Sequence, residues 1–178
     1  MLTDNELMDS VKRGDFDAFD QLVLRYQNSA WNIAYRFLGD ASEAEDVAQE
    51  AFLRIFAGAG RYQSTSGFQP YLYTVVTRLC IDHVRKKRPT YCKKLPAVND
   101  SKPLAVEQEA KQEMEKAIRR AIDLLPPKQR MAVVLRYFEG FRSRQVALAM
   151  GISPKAVERA LYRGRKKLEP ILKHWLEK

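Results

Sequence analysis

The feature that most constrains this chain is the spacing of its turn residues near the C-terminus. Arg144 to Met150 places Val146, Ala147 and Met150 at core spacing, with Ser143 positioned as an N-cap. Gly151 can take the left-handed backbone that ends this helix, and Ser153-Pro154 starts another. In the second helix Val157, Leu161, Gly164 and Leu168 form an inward stripe. Lys155, Arg159, Tyr162, Arg163 and Lys166 lie on the opposite side. Two short helices with one apolar face and one cationic face predict a helix-turn-helix, whose second helix enters the major groove.

Charge supports a polyanionic partner. The net charge is +9, and it is unevenly placed: the first 88 residues hold 11 basic and 12 acidic residues, and the rest hold 20 and 10. Cys80 and Cys92 cannot build a disulfide framework, and Cys80, His83 and Cys92 lack the paired spacing of a structural zinc site. No metal and no cofactor is expected. No run reaches the ~18 apolar residues of a membrane span, and no signal peptide is visible. The expected location is therefore the cytoplasm, without membrane insertion.

Nearly every other segment also reads as helix, and none alternates as a strand. Thr3-Asp4-Asn5-Glu6 offers caps for a first helix through Val11, and Gly14-Asp15 breaks it. A longer amphipathic helix runs from Asp17 to Leu38, with Phe19, Leu22, Val23, Tyr26, Ala30, Ile33, Ala34 and Phe37 on one face. Gly39-Asp40 ends it, and Ser42 is placed to cap a third helix through about Ala57. Residues 58–69 read as a loop, and Pro70 opens a fourth helix to about Lys87. Pro89, Pro96 and Pro103 then destroy any periodicity. Helix resumes near Val106, stops at Pro126-Pro127, and a further helix covers Lys128 to Glu139. The expectation is an all-α chain of two small helical domains, 1–88 and 112–178, joined by a flexible linker over 89–111.

Laid out in this order, the chain resembles the extracytoplasmic function (ECF) sigma factors, which consist of sigma region 2 and sigma region 4. The resemblance rests on Lys12 to Phe19, on Glu43-Ala44-Glu45-Asp46-Val47-Ala48-Gln49-Glu50-Ala51-Phe52, and on Tyr71-Leu72-Tyr73 with Asp82 to Arg88. Leu125-Pro126-Pro127-Lys128-Gln129-Arg130, Leu135-Arg136-Tyr137 and Gly151-Ile152-Ser153 carry it through region 4. It covers roughly Leu7 to Arg88 and Ile122 to Leu172. It implies a protein that binds core RNA polymerase, recognises the −35 and −10 promoter elements and promotes promoter opening.

Three candidate surfaces follow. The third helix carries Asp40, Glu43, Glu45, Asp46 and Glu50 with no base among them, and its outward face presents Asp46, Gln49, Glu50, Leu53 and Phe56. Acids beside exposed apolar groups suit a basic and apolar protein partner; the resemblance makes that partner the clamp helices of the polymerase beta-prime subunit. On the fourth helix, Tyr71, Thr74, Arg78, Asp82 and Arg85 share one face, while Leu72, Val75, Val76, Leu79 and His83 form the apolar arc. His83 thus reads as a packed core histidine. Arg61, Tyr62, Gln63, Ser64 and Phe68 precede this helix. The resemblance assigns this group to the −10 element, where aromatic, amide and cationic side chains can hold an extruded base. One of Tyr71 and Tyr73 is expected in an aromatic core stripe instead. The third surface, for the −35 element, comprises Arg144, Ser153, Lys155, Ala156, Arg159, Tyr162, Arg163 and Lys166.

The chain departs from the family at several points. Arg78 stands where Asn is common and Tyr71 where Trp is common, which implies an unusual −10 preference. In the recognition helix a hydroxyl residue and an Arg are replaced by alanines, which leaves the −35 preference open. The resemblance also implies contact with the polymerase beta flap, an anti-sigma factor as a regulatory partner, and a linker that either threads the polymerase channels or serves as a passive tether. A stand-alone helix-turn-helix regulator is the alternative; it leaves the acidic helix and the aromatic loop unexplained. Gly58-Ala59-Gly60 lacks the spacing and lysine of a phosphate loop, and His83 and His174 are the only histidines, so neither an enzyme nor a small-molecule substrate is expected.

Overall fold

A computed structural model describes residues 2–65, 67–87 and 106–176. The expected linker sequence before Val106, together with Cys92 inside it, lies outside the described residues. Four helices form the N-terminal half: α1 (Asp4–Lys12), α2 (Phe16–Leu38), α3 (Ala41–Ala57) and α4 (Phe68–Lys87), with a 3-10 turn at Ala59–Arg61. The C-terminal half contains α5 (Val106–Asp123), α6 (Pro127–Val133), α7 (Ser143–Met150) and α8 (Pro154–Leu176). A π-helical turn, Val134–Phe138, extends α6. All regular structure among the described residues is helical.

Local chemistry sets most helix ends. Thr3 and Glu6 form a reciprocal capping box at α1, and Asp15 accepts from the Ala18 amide at α2. Gly39 ends α2 at φ 82°, a conformation that disfavours any side chain. Asp40 is left extended and caps α3 by accepting from the Glu43 amide at 2.9 Å. The cap is therefore Asp40 rather than Ser42, because α2 and α3 are joined by only these two residues. Pro70 also does not open α4. The helix starts at Phe68, and Pro70 sits in the first turn, where its missing N–H costs nothing. Ser143 is likewise already helical; at α7 the Gln145 side-chain oxygen accepts from the Arg142 amide at 2.9 Å.

The N-terminal half closes around Leu7, Met8, Leu22, Ile33, Phe37, Ile55, Phe68, Leu72 and Val76, all essentially without exposure. In the C-terminal half Met131, Leu135, Val146, Val157 and Leu161 are buried. The two halves do not hang apart: their buried residues join in one apolar cluster. Tyr73 of α4 lies 5.0 Å, ring to ring, from Phe141, and Thr77 is fully buried with its hydroxyl 3.9 Å from the Met131 sulfur. Arg119 donates to the Tyr35 and Arg36 carbonyls at 3.0 and 2.7 Å, and Arg130 donates to the Phe37 carbonyl at 3.1 Å. Arg36 pairs with Glu139. Guanidinium groups from the C-terminal half thus supply donors to the Arg36 and Phe37 carbonyls at the end of α2, and share the Tyr35 carbonyl with the Gly39 amide. Among the described residues no helix is long and apolar enough to cross a membrane, and no group of His, Cys, Asp and Glu could hold a metal ion.

Candidate polymerase and promoter surfaces

The α3 surface is built by an acidic helix whose charges are unequally occupied. Asp40 is spent on capping, Glu43 lies 3.0 Å from the His83 ring, and Glu50 accepts from Arg54 at 2.6 Å. His83 therefore stands at the edge of the core, only partly buried, with a carboxylate partner. Asp46 and Gln49 are exposed, and Leu53 is 65% exposed. Phe56 is half-buried between Phe16 and Phe19, at 5.5 and 5.0 Å. Phe16 itself is 67% exposed, so the aromatic ladder extends the apolar surface beyond α3.

Beside Leu53 runs a groove of about 620 Å³ between α2 and α3, lined by Gln27, Asn28, Trp31, Gln49 and Phe52 among others. Sequence reasoning missed the α2 side of this groove. Trp31 lies off the apolar stripe of α2 and stacks on Tyr35 at 4.7 Å. A large aromatic residue outside the inward stripe was the available signal.

The expected −10 group separates into two sets. Arg61, Gln63 and Ser64 are exposed in the loop, and Arg78 and Arg85 are exposed on α4. Tyr62 and Phe68 are core residues, 5% and 1% exposed, and do not offer a free face to a base. Tyr62 packs on Tyr71 at 5.3 Å and donates its hydroxyl to Asn5 at 2.8 Å; Phe68 packs on Tyr26. Burial pushes the Tyr62 phenol above its ordinary range, with Asp4 and Asp9 adding to the effect. The sequence could not separate these rings from accessible ones, because neither Tyr62 in the loop nor Phe68 at the first position of α4 lies within a run long enough to show a helical period. Tyr71 remains half-buried, while Tyr73 is the one in the core stripe. Thr74 is half-buried and donates to the Pro70 carbonyl at 2.8 Å, and Asp82 pairs with Arg85 at 3.1 Å.

The helix-turn-helix is formed by α7 and α8. Gly151 caps α7 at φ 63°, and the Ser153 hydroxyl accepts from the Ala156 amide at 3.2 Å. Val157, Leu161, Gly164 and Leu168 face inward. Gly164 allows close packing there: a Cβ would stand 3.1 Å from a Val133 methyl, which would have to shift by a few tenths of an ångström. Arg144, Lys155, Arg159, Tyr162, Arg163 and Lys166 are exposed, and Ala156 is half-buried.

The −10 and −35 candidates are brought together. A cleft of about 630 Å³ has Ile81 and Arg85 on one wall, Ala156, Arg159, Ala160 and Arg163 on another, and Pro126 to Gln129 between. Arg78 approaches the Gly151 turn. Residues that would read elements on separate stretches of DNA face one another across this cleft.

Known proteins fit this geometry. The family Sigma-70 region 2 matches residues 22–90, and Sigma-70, region 4 matches residues 115–168. The chain is 32% identical to the RNA polymerase sigma-H factor of Pseudomonas aeruginosa over 96% of both chains. It is 30% identical to the ECF RNA polymerase sigma factor SigW of Bacillus subtilis, over 92% of this chain and 93% of that one. In fold it is similar to a chain of the complex of CnrH with the cytosolic domain of CnrY, with a TM-score of 0.72, 22% identity, and coverage of 96% and 97%. Two helical halves, an acidic α3 surface and a cationic helix-turn-helix thus follow regions 2 and 4 in order, and the chain belongs to the extracytoplasmic function sigma factors of the sigma-70 family, the promoter-recognising subunits of bacterial RNA polymerase.

Proposed function

We propose a division of labour among the three surfaces. The α2–α3 surface, with Asp46, Gln49, Glu50, Leu53 and Phe56 joined by Gln27 and Trp31, docks on the beta-prime clamp helices of core polymerase. The loop residues Arg61, Gln63 and Ser64, with Tyr71, Arg78 and Arg85 of α4, engage the −10 element, and α7–α8 reads the −35 element while the C-terminal half contacts the beta flap. Catalysis belongs to the polymerase. The observation that carries the reading is the cationic outward row of α8, set behind a Gly151 turn and an Ser153 cap.

In this reading the described arrangement is a closed form. The −10 and −35 residues that share a cleft must part to reach separate DNA elements. An anti-sigma factor would act by holding them together; the fold similarity to sigma–anti-sigma complexes supports this, including a TM-score of 0.66 to a chain of the RpoE–NepR complex from Bartonella quintana.

Transcription from a randomised promoter library by purified core polymerase, with and without this protein, tests the reading. Protein-dependent transcripts sharing −35 and −10 motifs are expected. Tight duplex binding by the protein alone, without such transcripts, would favour a stand-alone regulator. Leu53→Asp should abolish assembly with core polymerase in gel filtration while changing stability by only about 0.5 kcal/mol, since the side chain is exposed.

A further inference from the structure

Glu158 is the only acidic residue between Gly151 and Leu168, a stretch that otherwise holds six lysines and arginines. It is exposed on the first turns of α8, one turn after Lys155 and one before Tyr162. A carboxylate here opposes phosphate binding, because the surrounding surface gains affinity by neutralising phosphates. Yet among the described residues Glu158 forms no ion pair with a lysine or arginine, although Lys155 and Arg159 are its neighbours in sequence. Its Oε1 instead accepts a hydrogen bond from the hydroxyl of Ser143, the first residue of α7. This bond links the two helices of the motif, fixes the direction of the side chain, and leaves Oε2 for another donor.

An acceptor-only group on the reading face of a recognition helix gains from DNA only where a base edge offers an N–H. In the major groove those donors are the exocyclic amines of cytosine and adenine. Adenine places its N7 lone pairs beside the amine, where they repel a carboxylate; cytosine does not. We propose that Glu158 reads a cytosine in the −35 element by accepting from its N4 amine, with Ser143 as the positioning residue. The inference rests on the assignment of α7–α8 to the −35 element.

The test is transcription by holoenzymes carrying the wild-type chain, E158Q, E158A or S143A, on a library randomised across the −35 element. The thermal midpoint of each variant is measured in parallel. The wild type should prefer cytosine at one position by about fivefold to tenfold. E158Q keeps an acceptor for Ser143 and turns an amide donor toward the base, so its preference at that position should leave cytosine for a base that offers an acceptor there. E158A should lose the preference while transcribing the other sequences as well or better, because a repulsive charge is gone. S143A should weaken the preference at the same position without a change in midpoint. A wild-type −35 motif that E158Q and E158A leave unaltered would overturn the inference alone, whether activity rises or falls uniformly. Wild-type transcripts with no shared −35 sequence would overturn the −35 assignment itself.

Discussion

The core of the N-terminal half and the seam between the halves are held by different forces. The first is nearly all hydrocarbon: Leu22 and Ile33 of α2, Ile55 of α3 and Leu72 and Val76 of α4 are sealed from water. Its stabilisation scales with apolar area and has no alternative partner in solvent. The seam has apolar members, Tyr73 on Phe141 and Thr77 beneath Met131. Its directional contacts, though, are guanidinium groups on carbonyls and carboxylates. Arg130 also stacks on Phe37 at 5.5 Å, and Arg36 on Phe138 at 5.5 Å. Water can replace each polar contact on both partners, so separating the halves costs far less than opening the core. A seam built this way suits a protein whose two DNA-reading faces must part.

The largest expected effect comes from the core. Leu22→Ala should cost about 2–5 kcal/mol and lower the thermal midpoint by roughly 4–20 °C in circular dichroism. A smaller loss would mean that the site collapses around the cavity and that core and seam differ less in strength.

Gly39→Ala targets the seam through the backbone. A residue with a Cβ at φ 82° carries strain of about 1–3 kcal/mol, and that Cβ would lie 2.0 Å from the Arg119 guanidinium. Small-angle scattering should show a larger radius of gyration as Arg119 is expelled. An unchanged radius would show that the apolar contacts alone hold the halves together.

Arg119→Ala removes the same contact without backbone strain. It should open the seam with a stability change of about 1 kcal/mol, or roughly 2–4 °C in midpoint. A midpoint loss as large as that of Leu22→Ala would erase the distinction between seam and core.

Alkaline pH gives the gentlest probe. Burial raises the Cys80 thiol and the Tyr26 and Tyr62 phenols above their ordinary values, and for Tyr26 the bond to Asp4 adds to the effect. Each group is neutral when protonated and is held neutral by the fold, so the folded chain keeps protons the unfolded chain releases. Their contribution is whole below the unfolded values of about 8.5 and 10 and declines as pH rises from those values toward the raised folded ones. Urea midpoints should therefore fall from about pH 9 upward, with Cys80 unreactive toward thiol reagents until unfolding. Measurements use a Cys92→Ser background so that only Cys80 is followed.

Much of the fold was legible without the structure. Thr3, Asp15, Gly39, Gly151 and Ser153-Pro154 mark helix ends because capping and left-handed backbone are decided within a few residues. The stripe from Val157 to Leu168 fixed the inward face of α8 by period alone. Local rules misplaced a boundary where two signals competed, as with Ser42 against Asp40. They also failed in the loop before α4 and at its first residue, where Tyr62 and Phe68 carry the same chemistry as an exposed ring and differ only in what covers them.

The sequence by itself thus determined the helices, their faces and the two regions of the sigma family, since hydrophobic period and turn chemistry are properties of short segments. Only the tertiary structure decided which aromatic rings were buried, that Trp31 extends the α3 surface into a groove, and that Ser143 reaches Glu158. It alone decided that Arg85 of α4 faces Ala156, Arg159 and Arg163 of α8 across one cleft, and that Arg78 approaches the Gly151 turn. These are contacts between residues far apart in the chain, and they depend on which surface each helix finds to bury, a choice no local pattern encodes.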